Sequence, residues 1–239
     1  MMVMAILLVT FFASGIGTAT GFGTSTVMIP ILSLFLPFRS ALLFVGIIHL
    51  FGDVWKILLF RKGMDWKLFL AFGVPGIVAS YIGASLAFQA GDFSLKRILG
   101  AFFVIYVGFL TIKRDWRLPR RIGTAMTGGA LSGLFAGFFG VGGAVRGAFL
   151  SAFDLPKEVY IFTSGMIALL IDITRVGRYL WGGTGLGASF WLALGICIPV
   201  SFLGAFLAKR FIEKLPQKHF RNFVALFLAL VGFRLLFWG

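Results

Sequence analysis

The sequence predicts an all-α integral membrane protein made of two homologous repeats of four apolar segments, inverted with respect to each other, each opening with a segment broken at glycines. Three observations predict it. Of the 239 residues, 59% are apolar and 13% charged, with a mean hydropathy of +1.01, far outside the range of a soluble domain. Uncharged runs cover residues 1–38, 68–91, 122–145 and 179–208, each longer than the roughly 20 residues that span about 30 Å of hydrocarbon. Finally, Gly21-Phe22-Gly23, Leu36-Pro37, Gly46, Asp53 and Gly63 recur 119 positions later in Gly140, Gly142, Leu155-Pro156, Gly165, Asp172 and Gly182. An ordered set of matches at one offset is the mark of a duplication, and duplicated membrane bundles are a common plan of secondary transporters.

The apolar segments fall at about 1–37, 40–60, 67–90 and 95–112, then at about 122–155, 158–181, 186–208 and 220–238. The first repeat is 1–112, a basic linker occupies 113–121, and the second repeat is 122–239. No Lys or Arg precedes Arg39, so the first segment lacks the positive start of a cleavable signal peptide and is expected to be retained. It is interrupted over 15–24, as the fifth segment is over 137–143. A continuous helix of that length would rise about 50 Å, so each is either one kinked crossing or two half-helices that enter and leave on the same side. The third segment carries Gly73, Gly76, Ala79, Ser80, Gly83 and Ala84, a spacing that suits close helix packing. In the fourth, Arg97-Ile98 and Gly108-Phe109 match Arg221-Asn222 and Gly232-Phe233 at an offset of 124. The added residues lie in the glycine-rich loop 182–187.

Loop charge decides between the two treatments of the breaks. With eight crossings, nine basic residues lie on each side, which leaves no asymmetry to orient the protein. With both broken segments re-entrant the tally is fourteen against four, the four being Arg39, Lys96, Arg97 and Arg178, as the positive-inside rule requires. Three true crossings per repeat then place the copies in opposite orientations about an axis in the membrane plane. The net charge of +14 is accounted for by basic loops such as 113–121, not by a nucleic-acid surface. Trp66, Trp116, Trp181 and Trp238 lie at segment ends, where indoles anchor to the interface. The lone Cys197 has no partner for a disulfide and no assigned role.

The chemistry gathers at the breaks. Amides at the start of a half-helix, with the positive end of its dipole, form an anion site, and glycines allow close approach. The candidate substrate-binding residues are Gly21, Gly23, Thr24, Ser25 and Thr26 in the first copy, and Gly140, Gly142, Gly143 and Arg146 in the second. Arg146 stands where the first copy has Val27. So deep an arginine costs at least about 2.5–3.5 kcal/mol to insert. It pairs with a carboxylate, snorkels to an interface, or offers a substrate oxyanion a bidentate contact. The next segments contain His49, Asp53 and Lys56, and Asp172 and Arg175. Each Asp and its basic neighbour three residues on share a helix face. They either neutralise each other as structural pairs or open to admit an anion and exchange a proton, with His49 as the titrating neighbour.

Gly21-Phe22-Gly23 with Pro30, His49 and Asp53, Gly63-Met64-Asp65-Trp66, Gly137 with Gly140-Val141-Gly142-Gly143, Leu155-Pro156, and Asp172-Ile173-Thr174-Arg175 with Tyr179 resemble the sulfite and organosulfonate exporters of the TauE/SafE type, a group with 4-toluene sulfonate uptake permease-like members. The resemblance covers nearly the whole chain. It implies export of a small sulfur-containing anion, such as sulfite or sulfoacetate, across a bacterial inner membrane. The expected partners are that anion, the lipid bilayer, and protons as coupling ion; no cofactor, metal or nucleic acid is expected. An enzyme would need a nucleophile with a base or a set of metal ligands, and with two histidines and one cysteine no such constellation stands out. A passive anion channel, a carrier of another small organic anion, and a subunit without transport function are the other readings.

Overall fold

The computed structural model describes residues 2–20, 23–61, 63–112, 118–211 and 217–238. Gly21, most of the linker, including Lys113 and Trp116, and the side chains of His219 and Trp238 lie outside the described part. Every regular element within it is helical: α1 (Met2–Thr20), α2 (Thr24–Leu32), α3 (Phe38–Leu59), α4 (Trp66–Ala87), α5 (Asp92–Ile112), α6 (Ile122–Phe139), α7 (Gly143–Leu150), α8 (Lys157–Trp181), α9 (Ala188–Phe211) and α10 (Gln217–Trp238). A single 3-10 turn, Ser151–Phe153, extends α7. Five helices among the described residues are long and apolar enough to cross a membrane: α3, α4, α6, α8, and α9 from Ala188 to Arg210.

Local chemistry sets the boundaries. Pro37 and Pro156 precede α3 and α8 with φ near −51° and −52°, supplying a fixed turn and ending the preceding segment. The Asp65 carboxylate caps α4 by accepting from the Leu68 amide at 2.9 Å, as an N-cap side chain does. At the breaks, Gly23 (φ +83°) precedes α2 and Gly140 (φ +74°) closes α6, left-handed conformations in which a side chain would be strained.

Helices pack where side chains are smallest. A Cβ on Gly129, Gly133 or Gly137 of α6 would stand 2.1, 2.0 or 2.1 Å from the carbonyl oxygens of Phe72, Gly76 and Ser80 of α4. That ladder permits the backbone approach by which helices associate without a hydrophobic drive. The expected small-residue face of the third segment is only partly used: Gly76 and Gly83 face α6, but nothing lies within 4 Å of a Cβ on Gly73. In the same manner α1 meets α9 at Gly15 and Gly204, and α5 meets α10 at Gly100 and Gly232. Apolar side chains such as Phe12, Val74, Ile105 and Leu192 are exposed, as a lipid-facing surface requires. Trp66 and Trp181 are exposed at the start of α4 and the end of α8, in keeping with their anchoring role.

Each broken segment folds back on itself. Gly17 of α1 abuts Thr24 at the start of α2, and Met2, Ala5, Ile6 and Val9 share a groove with Ile31, Leu32, Phe35 and Leu36. In the second half Gly128 of α6 sits against Phe149 of α7. Arg120, at the entrance to α6, bonds Asp154, past the end of α7, at 2.6 Å. In each pair the second helix thus runs back toward the start of the first. Between them α3 crosses α8 in antiparallel sense: Gly46 lies beside Arg175 and Val176, and Gly165 beside Asp53 and Lys56.

Candidate functional site

The antiparallel crossing of α3 and α8 brings the charged residues of both halves together in the interior. His49, Asp53, Lys56, Asp172 and Arg175 are all at most 5% exposed. Their spacing explains why. Positions three apart lie on one helix face, and on each helix that face turns toward the other. Lys56 Nζ donates to Asp53 Oδ1 at 2.8 Å, and Arg175 Nε donates to Asp172 Oδ1 at 2.6 Å. Both within-helix pairs thus form, with water excluded, where an unpartnered charge would cost several kcal/mol.

One residue links the halves. His49 Nδ1 donates to Asp172 Oδ2 across the crossing, and the same nitrogen lies 3.4 Å from Asp53 Oδ2. The imidazole thus stands between two carboxylates at equivalent positions of the repeats, bonded to one and facing the other. Asp53 Oδ2 and His49 Nε2 have no hydrogen-bond partner among the described residues. The ligand atoms of His49, Asp53 and Asp172 lie within 4.8 Å of one another, yet each carboxylate already holds a cation, Lys56 or Arg175. The cluster is a salt-bridge core, its countercharge supplied by side chains.

The breaks close on this core from either side. A Cβ on Gly23 would stand 2.5 Å from His49 Nε2, and one on Gly140 would stand 3.2 Å from Arg175 Nη1. Thr24, Ser25 and Thr26, the first turn of α2, are buried, and Thr24 Oγ1 lies 3.5 Å from where a Cβ on Gly52 of α3 would be. Gly142 and Gly143 begin α7, and the Gly142 carbonyl accepts from Ser132 at 3.0 Å and from the Arg146 amide at 2.9 Å. Of the expected binding residues, only Gly21 falls outside the described residues.

Arg146 takes none of the routes that would make it structurally unremarkable. It is 2% exposed, so it does not snorkel, and it makes no ion pair among the described residues. Its Nε donates to the Ser164 hydroxyl of α8 at 3.0 Å. Ser164 did not figure among the expected site residues. A signal was available: subtracting the repeat offset from 164 gives Val45, just as Arg146 corresponds to Val27, so both departures from symmetry belong to one contact. Tyr179, one turn beyond Arg175, was likewise missed as a site residue; its hydroxyl donates to the Gly137 carbonyl at the end of α6. Cys197 is buried, at 3.4 Å from the Thr10 hydroxyl.

No curated protein matches the chain. Residues 6–235 match the family model for the sulfite exporter TauE/SafE, nearly the full length of the bundle just described, and the chain accordingly belongs to the TauE/SafE family of membrane transporters.

Proposed function

We propose that this protein is a secondary transporter that exports a small sulfur oxyanion or organosulfonate, such as sulfite or sulfoacetate, across a bacterial inner membrane by alternating access. The observation that carries the proposal is the charge sum of the buried centre. Among the described residues the buried cations Lys56, Arg146 and Arg175 outnumber the buried carboxylates, Asp53 and Asp172, leaving one fixed positive charge in a membrane interior near two glycine breaks. A buried, uncompensated cation is costly, and an anionic cargo offsets that cost while bound. The half-helices α2 and α7 add amides and the positive ends of their dipoles. The family's description as sulfite exporters supports both the sulfur chemistry and the direction.

Inverted repeats with re-entrant breaks supply the mechanism. Helices α3 and α8 are equivalent by the repeat offset yet cross in antiparallel sense, which favours opposite orientations of the two copies. The return of α2 along α1 and of α7 along α6 favours re-entrant segments over kinked crossings. In such a pair of copies each takes in turn the conformation of the other, opening the centre to alternate sides. His49, placed between the two carboxylates, is the coupling site for a proton in this reading.

Ligand-dependent thermal shift of the purified protein tests the substrate class. Sulfite, thiosulfate, sulfate, sulfoacetate and taurine form the panel, with lactate and phosphate as controls. Stabilisation by one or more of the sulfur anions is expected; stabilisation by lactate or phosphate alone would sink the assignment.

A further inference from the structure

The guanidinium of Arg175 is only half used. Its Nε is committed to Asp172, but Nη1 and Nη2, in a residue with no exposed surface, have no hydrogen-bonded acceptor among the described residues. The Tyr179 hydroxyl, which donates to the Gly137 carbonyl, is the polar group beside the guanidinium, without a regular hydrogen bond to Nη1 or Nη2. Unsatisfied donors of a buried charge call for an explanation, since leaving them unpaired costs more than a bond returns. A Cβ on Gly140 would stand 3.2 Å from Nη1 and one on Gly46 3.4 Å from it. The fork therefore lies between two glycines, in a space bordered by the side chains of Ile29, Leu42 and Val176.

That space adjoins a second set of free donors. Gly140 lies two residues before Gly142, the N-cap of α7. The Arg146 amide is the first of α7 to find an acceptor within the helix, the Gly142 carbonyl, so the amides of Gly143, Ala144 and Val145 belong to the open first turn. A dipole's positive end and a planar fork with two parallel N–H groups are the two devices by which proteins hold tetrahedral and pyramidal oxyanions.

We propose that the oxyanion is seated between the Nη1/Nη2 fork of Arg175 and the N-terminal turn of α7, with Asp172 holding the fork in place and the backbone of Gly46 and Gly140 approaching it closely. This rests on the transport reading and names the residue that recognises the anion. Arg146, bonded to Ser164 two turns of α8 away from Asp172, contributes charge to the path and not the forked contact. The Asp172 carboxylate also accepts from His49 Nδ1, so the seat and the imidazole share one side chain.

The test is binding of methanesulfonate, whose charge is constant around neutral pH, to the purified full-length protein, with chloride as a spherical anion for comparison. Arg175→Lys keeps the charge and the link to Asp172 but lacks the fork. The expected result is an affinity for methanesulfonate lowered roughly tenfold to a hundredfold, with chloride nearly unaffected. Gly46→Ala leaves every charge in place and adds a methyl 3.4 Å from Nη1; it is expected to weaken methanesulfonate severalfold, and it decides the matter if Arg175→Lys does not fold. Unchanged methanesulfonate affinity in the folded variants overturns this seat while the transport reading stands. A wild-type protein that binds no oxyanion overturns both.

Discussion

At the first break Gly23 meets an imidazole and a run of three hydroxyl residues; at the second, Gly140 meets a guanidinium, and the half-helix that follows carries Arg146. The repeat offset makes these places equivalent, pairing Thr24-Ser25-Thr26 with Gly143-Ala144-Val145, Val27 with Arg146, Lys56 with Arg175, and His49 with Ala168. The positions matched by the sequence offset thus carry different side-chain chemistry. The shared features, a glycine at each break and an Asp-to-base pair three residues apart, are what the architecture needs in either copy. The unshared ones differ in chemistry: Arg146 and Arg175 sit in the second half, and His49 and the run of hydroxyls in the first.

The sharpest way to break this comparison is to ask whether the copies face opposite ways. Reporter fusions at Arg39 and at Lys157 are expected to report outside and inside, respectively, because each lies just past a break that returns to its own side. Both on one side would restore eight crossings and remove the inverted relation.

Removal of the carboxylate shared by the halves should have the next largest effect. Asp172→Asn removes the negative charge and one of the two oxygens that Arg175 and His49 share, and breaking a buried pair from one side costs on the order of 3–5 kcal/mol. A large fall in thermal stability or expression is expected, with partial recovery when Arg175→Gln is added. Strict additivity of the two losses would mean that the pair is not coupled.

Arg146 measures what the second half adds. Arg146→Ala is expected to fold and insert, since its described partner is a neutral hydroxyl, but to lose roughly tenfold to a hundredfold in apparent substrate affinity, with Arg146→Lys, which keeps the charge, close to the unaltered protein. Normal transport by Arg146→Ala at low substrate concentration would remove it from the path. The smallest effect should come from Lys56→Arg, which makes the first pair like the second. A stability change below about 1 kcal/mol and unchanged transport are expected; a loss as large as that of Asp172→Asn would show that the halves tolerate no exchange.

Much of this contrast was legible in the sequence, for a physical reason. Membrane spans follow from length and apolarity alone, so Phe38–Leu59 and Lys157–Trp181 could be placed closely from their apolar runs and flanking prolines. The i, i+3 pairs were legible because helix geometry sets them. What the sequence left open depended on contacts between distant segments. Nothing local says that His49 reaches Asp172 and not only Asp53, that the glycine ladder of α6 matters more than Gly73 of α4, or that Arg146 turns to Ser164. The last was nearly within reach, since the two residues depart from the repeat pattern together.

Counterflow in proteoliposomes tests the central claim, that the paired halves carry a sulfur oxyanion by alternating exposure of one site. Vesicles loaded with unlabelled sulfite are expected to take up labelled sulfite faster than empty ones, with a rate that saturates and that falls in Arg146→Ala. Uptake that is linear in concentration and indifferent to internal sulfite would contradict a carrier and leave an anion channel in its place.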